Sequence, residues 1–252
     1  MISFIISAIK IVILLGFLIF IHESGHFLVA KLCKVKVNEF AIGFGPTIWK
    51  KQGKETKYAL RLIPLGGFVS MEGEDEESNE DGSFSKASVP KRIAIVVAGA
   101  AVNIIFAIIL YFVLAIIFAM QEIGDFQYSI QFALERTGGF VGSTFEGLGQ
   151  LFTGQIGLNQ MMGPVGISEV VAQTNGLFEF LNMVSIISLS LGITNLLPIP
   201  ALDGGKIVFL IIEGIRKKPL NQKTEIKIQL IGFCFLIMLS IFVTYKDVTK
   251  LL

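Results

Sequence analysis

Residues 93–120 form a run of 28 residues without a single charged side chain. Few folds can accommodate such a segment. Crossing the hydrocarbon core of a bilayer takes about 20 apolar residues in a helix, and in lipid a helix satisfies its own backbone hydrogen bonds. Residues 180–202 give a second charge-free run of 23, residues 1–21 carry only Lys10, and residues 228–244 give a shorter run of 17. The composition agrees: 53% of the chain is hydrophobic and 16% charged, whereas soluble domains are about a quarter charged. The expected fold class is an all-α polytopic membrane protein with about four transmembrane helices, forming one membrane-embedded domain over residues 1–252. Residues 1–21 lack the basic start and the small-residue cleavage site of a signal peptide, so they are read as a retained helix.

Lysine and arginine concentrate in cytoplasmic loops. Residues 22–92 hold eleven of them, residues 121–179 only Arg136, and residues 203–227 six. Two basic loops flanking a nearly neutral one imply a multi-pass protein of the cell membrane with both termini outside. The first and third helices then end at similar depth, on the cytoplasmic side. The lipid bilayer is the expected partner. A net charge of +1 gives no argument for nucleic acid. Cys33 and Cys234 make no disulfide framework and show no metal-ligand spacing. Seven acids and no base fall within residues 72–81, which reads as a solvated loop.

The chain contains only two histidines, and they stand four apart in His22-Glu23-Ser24-Gly25-His26. On a helix, that spacing puts both imidazoles on one face. This H-E-x-x-H pattern suits one zinc ion, which accepts neutral imidazole and keeps a fourth position for water. Glu23 is then placed to act as general base. A third ligand is needed. By topology it belongs near the cytoplasmic end of the third helix, where Asn195-Leu196-Leu197-Pro198-Ile199-Pro200-Ala201-Leu202-Asp203-Gly204-Gly205 lies. Asp203 closes an apolar run, and a carboxylate there is costly unless paired or bound to a cation. Pro198 and Pro200 cannot continue a regular helix. Asn195 offers a donor and an acceptor to a substrate backbone freed from its own helix. Residues 57–71, with Pro64-Leu65-Gly66-Gly67, read as a small hairpin closed by a glycine turn. Gly43-Phe44-Gly45-Pro46 reads as a turn as well.

In these features the chain resembles the site-2 protease family of intramembrane zinc metalloproteases. It looks closest to the bacterial branch that cleaves membrane-anchored anti-sigma factors and signal-peptide remnants. The resemblance rests on His22–His26 with Ala30 downstream, Gly43–Pro46, Pro64–Val69, Gly163-Pro164 and the Asn195–Gly205 string, in that order along nearly the whole chain. It implies that His22, His26 and Asp203 are zinc ligands and that Glu23 is the catalytic carboxylate. It also implies a substrate-binding role for the Asn195, Pro198 and Pro200 stretch. A membrane-associated β-hairpin between helices 1 and 2, carrying Gly66 and Gly67, would pair by its edge with an unwound substrate.

The implied substrates are single-span membrane proteins cut within or near their transmembrane segments. The chain departs from the family at two places. Ser190 stands where a second asparagine is common, and residues 121–128 leave no room for the usual PDZ insertion. Residues 129–159, rich in phenylalanine and leucine, are expected to lie along the outer membrane surface. Two other readings use the same residues: a metal or ion transporter, and a proteolytically silent binder of membrane segments.

Overall fold

The computed structural model describes residues 2–74, 78–155, 162–218 and 220–251. In chain order these form α1 (Ile2–Leu32), β1 (Val37–Gln52), β2 (Lys57–Met71), α2 (Val89–Ile123), α3 (Phe126–Phe152), α4 (Pro164–Ala172), α5 (Leu177–Asn195), α6 (Asp203–Arg216) and α7 (Gln222–Leu251). Four stretches are long and apolar enough to span a bilayer: Ile9–Leu32, Val89–Ile123, Leu177–Asn195 and Gln222–Lys250. They leave large apolar side chains exposed, among them Ile13, Ile109, Ile231 and Ile241. Water would penalise such surfaces, and lipid does not. The protein is a multi-pass membrane protein, mostly helical, with a small sheet between its first two spans.

Two helix boundaries differ from expectation. The first helix does not end at the histidine motif but continues for six residues beyond His26. Nothing in Phe27-Leu28-Val29-Ala30-Lys31-Leu32 breaks it. It stops where Lys34 takes a left-handed φ of 61° and Val35 N–H donates back to the Ala30 carbonyl at 2.8 Å, a Schellman-type closure. The third apolar run outlasts its helix. α5 ends at Asn195, and residues 196–202 turn through Pro198 and Pro200, whose missing N–H groups cannot extend the ladder.

The chain divides into two units. One comprises residues 12–103 and 192–235. Its core gathers Ala30, Val37, Phe40, Val69, Met71, Phe84, Ile95 and Leu210, with Phe27 set edge-on to Phe40 at 5.4 Å between ring centroids. Within it, α1 and α2 approach closely at Gly25: a Cβ there would fall 2.4 Å from the Ala98 carbonyl oxygen, a contact only a small residue permits.

The sheet corrects the expected hairpin. The arms of residues 57–71 on either side of the Gly66-Gly67 reversal do not pair with each other. Both arms pair with residues 39–42 of β1, which run between them, and the tight reversal whose own arms pair lies at residues 53–56. Both strands bend. β1 bends where Gly43 and Gly45 have φ of 88° and 83°, and β2 bends where Gly66 has φ of 109°; these are conformations glycine adopts without penalty. The bends lie against each other, with Phe44 opposite Ile63. As a result, residues 39–42 pair on one side with residues 67–70 and on the other with 57–60, which in turn pair with 49–52. Residues 39–42 run parallel to 57–60 and antiparallel to 67–70, so each glycine motif reverses its strand without pairing the two arms it joins.

The other unit comprises residues 1–11, 104–191 and 236–252. Its helix α3 folds back along α2. Tyr111 stacks on Phe140 at 4.1 Å, and Phe118 meets Phe132 at 6.2 Å, so the two helices run antiparallel. That packing accounts for Phe132 and Phe140, while Phe126, Tyr128 and Phe145 stay exposed. Part of the expected surface segment, residues 156–159, lies outside the described residues, as do residues 75–77 of the acidic loop. Lys10, the lone charge of the first apolar run, donates to the Thr174 carbonyl at 2.8 Å. The buried Asp247 accepts from the backbone N–H groups of Gly163 and Gly166, each at 2.8 Å. It thereby caps α4, which has no side-chain cap of its own.

Candidate metal centre

His22, Glu23 and His26 project from the middle of α1, and Asp203 is the first residue of α6. The segment before Asp203 is shaped to deliver it. Ala201 holds a positive φ of 76°, a strained conformation for a residue with a Cβ, and its N–H donates to the Gln229 side chain of α7. The chain then folds so tightly that a Cβ on Gly204 would fall 2.1 Å from the Leu197 carbonyl oxygen. Asp203 is therefore fixed by the turn before it and by the start of its own helix.

The three expected ligands converge. Asp203 Oδ2 lies 3.2 Å from His22 Nε2 and 3.5 Å from His26 Nε2, and the two Nε2 atoms are 3.2 Å apart. Among the described residues, His22, His26 and Asp203 form the one group of three that could hold a metal ion. A tetrahedral zinc with ligands at about 2.0–2.1 Å separates any two of them by about 3.3–3.4 Å. The observed triangle has edges of that length.

The chemistry of the donor set agrees. His26 Nδ1 sits 2.9 Å from the Ile95 carbonyl oxygen, which can only accept, so Nδ1 carries a proton and the neutral ring turns its Nε2 lone pair inward. Asp203 Oδ2 is buried without a hydrogen bond. Converging lone pairs of this kind require a positive charge among them, an imidazolium proton or a cation. Burial would raise the Asp203 carboxyl, but the two imidazoles beside it hold it well below the usual carboxylate range, so it is an anionic donor at neutral pH.

A cavity of about 220 Å³ opens onto this group, lined by His22, Glu23, His26, Gly67, Asp203 and Lys206 together with other residues of β2. Glu23 thus faces the same space as the three ligand atoms. Gly67 lies against it: a Cβ there would be 3.0 Å from Glu23 Cγ. The remaining sequence candidates lie apart from the cavity lining. Gly66 packs on the Phe44 ring, Asn195 is half-buried at the end of α5, Pro198 is exposed, and Pro200 packs on Gly232 of α7.

Two groups near the histidines were not singled out by sequence reasoning, the Ile95 carbonyl and Asn103. A signal existed for the second. Asn103 and Tyr111 are the only residues of the 93–120 run whose side chains form ordinary hydrogen bonds, and an amide in a membrane span is costly unless it has a partner.

The sequence model of peptidase family M50 matches residues 10–239. The Fusobacterium nucleatum protein FN1322 is 28% identical over 95% of this chain and 98% of its own length. The zinc metalloprotease RasP of Geobacillus kaustophilus is 24% identical over 97% of this chain and 98% of its own. RasP of Bacillus licheniformis is 25% identical over 97% and 99%. The two RasP alignments extend over 412 and 415 positions, against a chain of 252, so those relatives carry internal segments without a counterpart here. In this chain only Gly124 and Asp125 separate α2 from α3.

Proposed function

The chain belongs to peptidase family M50 and is a zinc metalloendopeptidase of the membrane, and on that premise we propose that it cuts single-span membrane proteins within or near their transmembrane segments. In this reading His22, His26 and Asp203 hold one zinc ion and Glu23 handles the proton. The observation that carries it is the convergence of His22 Nε2, His26 Nε2 and Asp203 Oδ2, from helices far apart in sequence, at mutual distances of 3.2–3.5 Å beside Glu23. The ion supplies Lewis acidity, acidifying a water and polarising the scissile carbonyl. Glu23 accepts a proton from the attacking water and returns it to the leaving amine.

A transmembrane helix has its carbonyls already bonded, so the substrate has to be opened before it can be cut. The β2 segment 67–70 pairs with β1 on one side, and Gly67 reaches the cavity. Its other edge, without a strand partner among the described residues, suits main-chain pairing with an unwound substrate. Asn195, Pro198 and Pro200 would contact the substrate beyond the cavity rim. The distribution of basic residues supports termini outside and a catalytic centre near the cytoplasmic face. Anti-sigma factors and signal-peptide remnants are the substrate classes that fit.

The test is purified protein, wild type and Glu23→Gln, incubated with a library of single-span substrates and analysed by mass spectrometry. Cleavage by wild type alone, with equal zinc in both, is expected. Equal cleavage by Glu23→Gln would remove Glu23 from the reaction.

A further inference from the structure

Helix α2 offers the metal no ligand, yet three of its residues sit against the site. Ile95, Gly99 and Asn103 are four apart and so share one face. α2 runs antiparallel to α1 here: the Ile95 carbonyl meets His26 Nδ1 at 2.9 Å, and Asn103 Nδ2 lies 3.5 Å from His22 Nδ1. Gly99 lies between them. A Cβ built on it would fall 2.3 Å from His26 Nε2 and 2.9 Å from His22 Nε2. An ion bound by both rings lies about 2.0–2.1 Å from those same two nitrogens, so a side chain at position 99 crowds the ligand atoms themselves.

Asn103 is fully buried. A protonated Nδ1 can be matched only by an acceptor; the amide nitrogen is the atom placed toward the ring, and a half-turn of the amide, which hydrogen-bond matching decides, brings the accepting oxygen there instead. With the oxygen turned to the ring, His22 gains the same arrangement that Ile95 gives His26. Each Nδ1–H is then held by α2, and each Nε2 lone pair faces the third ligand. Groups of this kind, one step behind the ligands, fix tautomer and ring orientation.

We propose that the Ile95–Gly99–Asn103 face of α2 is the orienting wall of the zinc site, with Asn103 setting the tautomer of His22 and Gly99 keeping the ligand nitrogens uncrowded. The proposal rests on the ligand assignment given above, and its test separates the two. Detergent-solubilised wild type, His22→Phe, Gly99→Ala, Asn103→Leu and Asn103→Asp are dialysed against graded chelator, and zinc per chain is measured. Asn103→Leu should weaken zinc retention about 10–100-fold, the usual effect of losing such a partner. Asn103→Asp, which keeps an acceptor, should restore most of it, and Gly99→Ala should retain no stoichiometric zinc. Zinc retained by His22→Phe would overturn the ligand assignment. Zinc lost by His22→Phe but held normally by Gly99→Ala and Asn103→Leu would overturn only the role of α2.

A second measurement needs no variant. The chain has only two histidines, so nitrogen NMR of histidine-labelled, zinc-loaded wild type reports on these rings alone. Both should be protonated at Nδ1, and an Nε2-protonated His22 would overturn the proposal.

Discussion

Replacing Gly67 by alanine should separate catalysis from metal binding. The new methyl carbon would stand 3.0 Å from each of three atoms: the Ala41 carbonyl oxygen, Glu23 Cγ and Ile19 Cγ2. Carbon atoms pack best at about 3.5–4.0 Å, so strand and helix have to part by roughly half an ångström, or Glu23 has to turn away. Overpacking of this kind costs about 1–3 kcal/mol. None of those three atoms belongs to His22, His26 or Asp203, so the ligand triangle keeps its shape while the carboxylate beside it moves. A misplacement of about 1 Å can cost about a hundredfold in rate, and half that displacement suggests a loss on the order of tenfold. Cleavage of a single-span substrate and zinc content, measured on the same preparation, decide the matter. A normal rate, or zinc lost in step with the rate, would refute the placement of Gly67 against Glu23.

Glu23→Gln keeps the shape of the side chain but not its basicity; its rate should fall by about 10²–10⁴-fold with zinc unchanged by elemental analysis. Asp247→Ala removes the acceptor of two backbone N–H groups at the start of α4. At about 1.5–3 kcal/mol for each bond to a charged group, local stability should fall by several kcal/mol, read as faster amide exchange at Gly163 and Gly166, with Asp247→Asn intermediate. Zinc should be released on acidification, since imidazole ligands have to be neutral. Asp203 has a depressed carboxyl. Its contribution is fully present above the unfolded value of about 3.9 and is lost only as the pH falls through its lower folded value. At about pH 3, release of each zinc ion should therefore take up two protons, one on each imidazole, as read by calorimetry in buffers of different ionisation heat. A third proton taken up there would return Asp203 to ordinary titration.

Much of the site is local enough to read along the chain. His22, Glu23 and His26 stand on one helix, so their spacing fixes their common face, and Asp203 is marked by the cost of a carboxylate at the end of an apolar run. The four spans are legible for the same reason: length and missing charge act residue by residue. What was not legible depends on neighbours distant in sequence. Gly43–Pro46 and Gly66-Gly67 carry turn chemistry and do reverse the chain, but whether the arms of a turn pair with each other or with a third segment depends on what lies between them. Phe132 and Phe140 of α3 look equally suited to a membrane surface and to a neighbouring helix until Phe118 and Tyr111 are brought beside them. Gly99 looks like any small residue in a span. Only with the imidazoles in place does its missing side chain become the space the ligand nitrogens need.

Zinc K-edge X-ray absorption on the purified wild-type protein tests the central assignment most directly. Two imidazole nitrogens and carboxylate or water oxygen, all at about 2.0–2.2 Å, are predicted, with the imidazole signal lost in His22→Phe. A sulfur shell at about 2.3 Å, drawn from Cys33 or Cys234, or a spectrum unchanged in His22→Phe and Asp203→Asn, would contradict it.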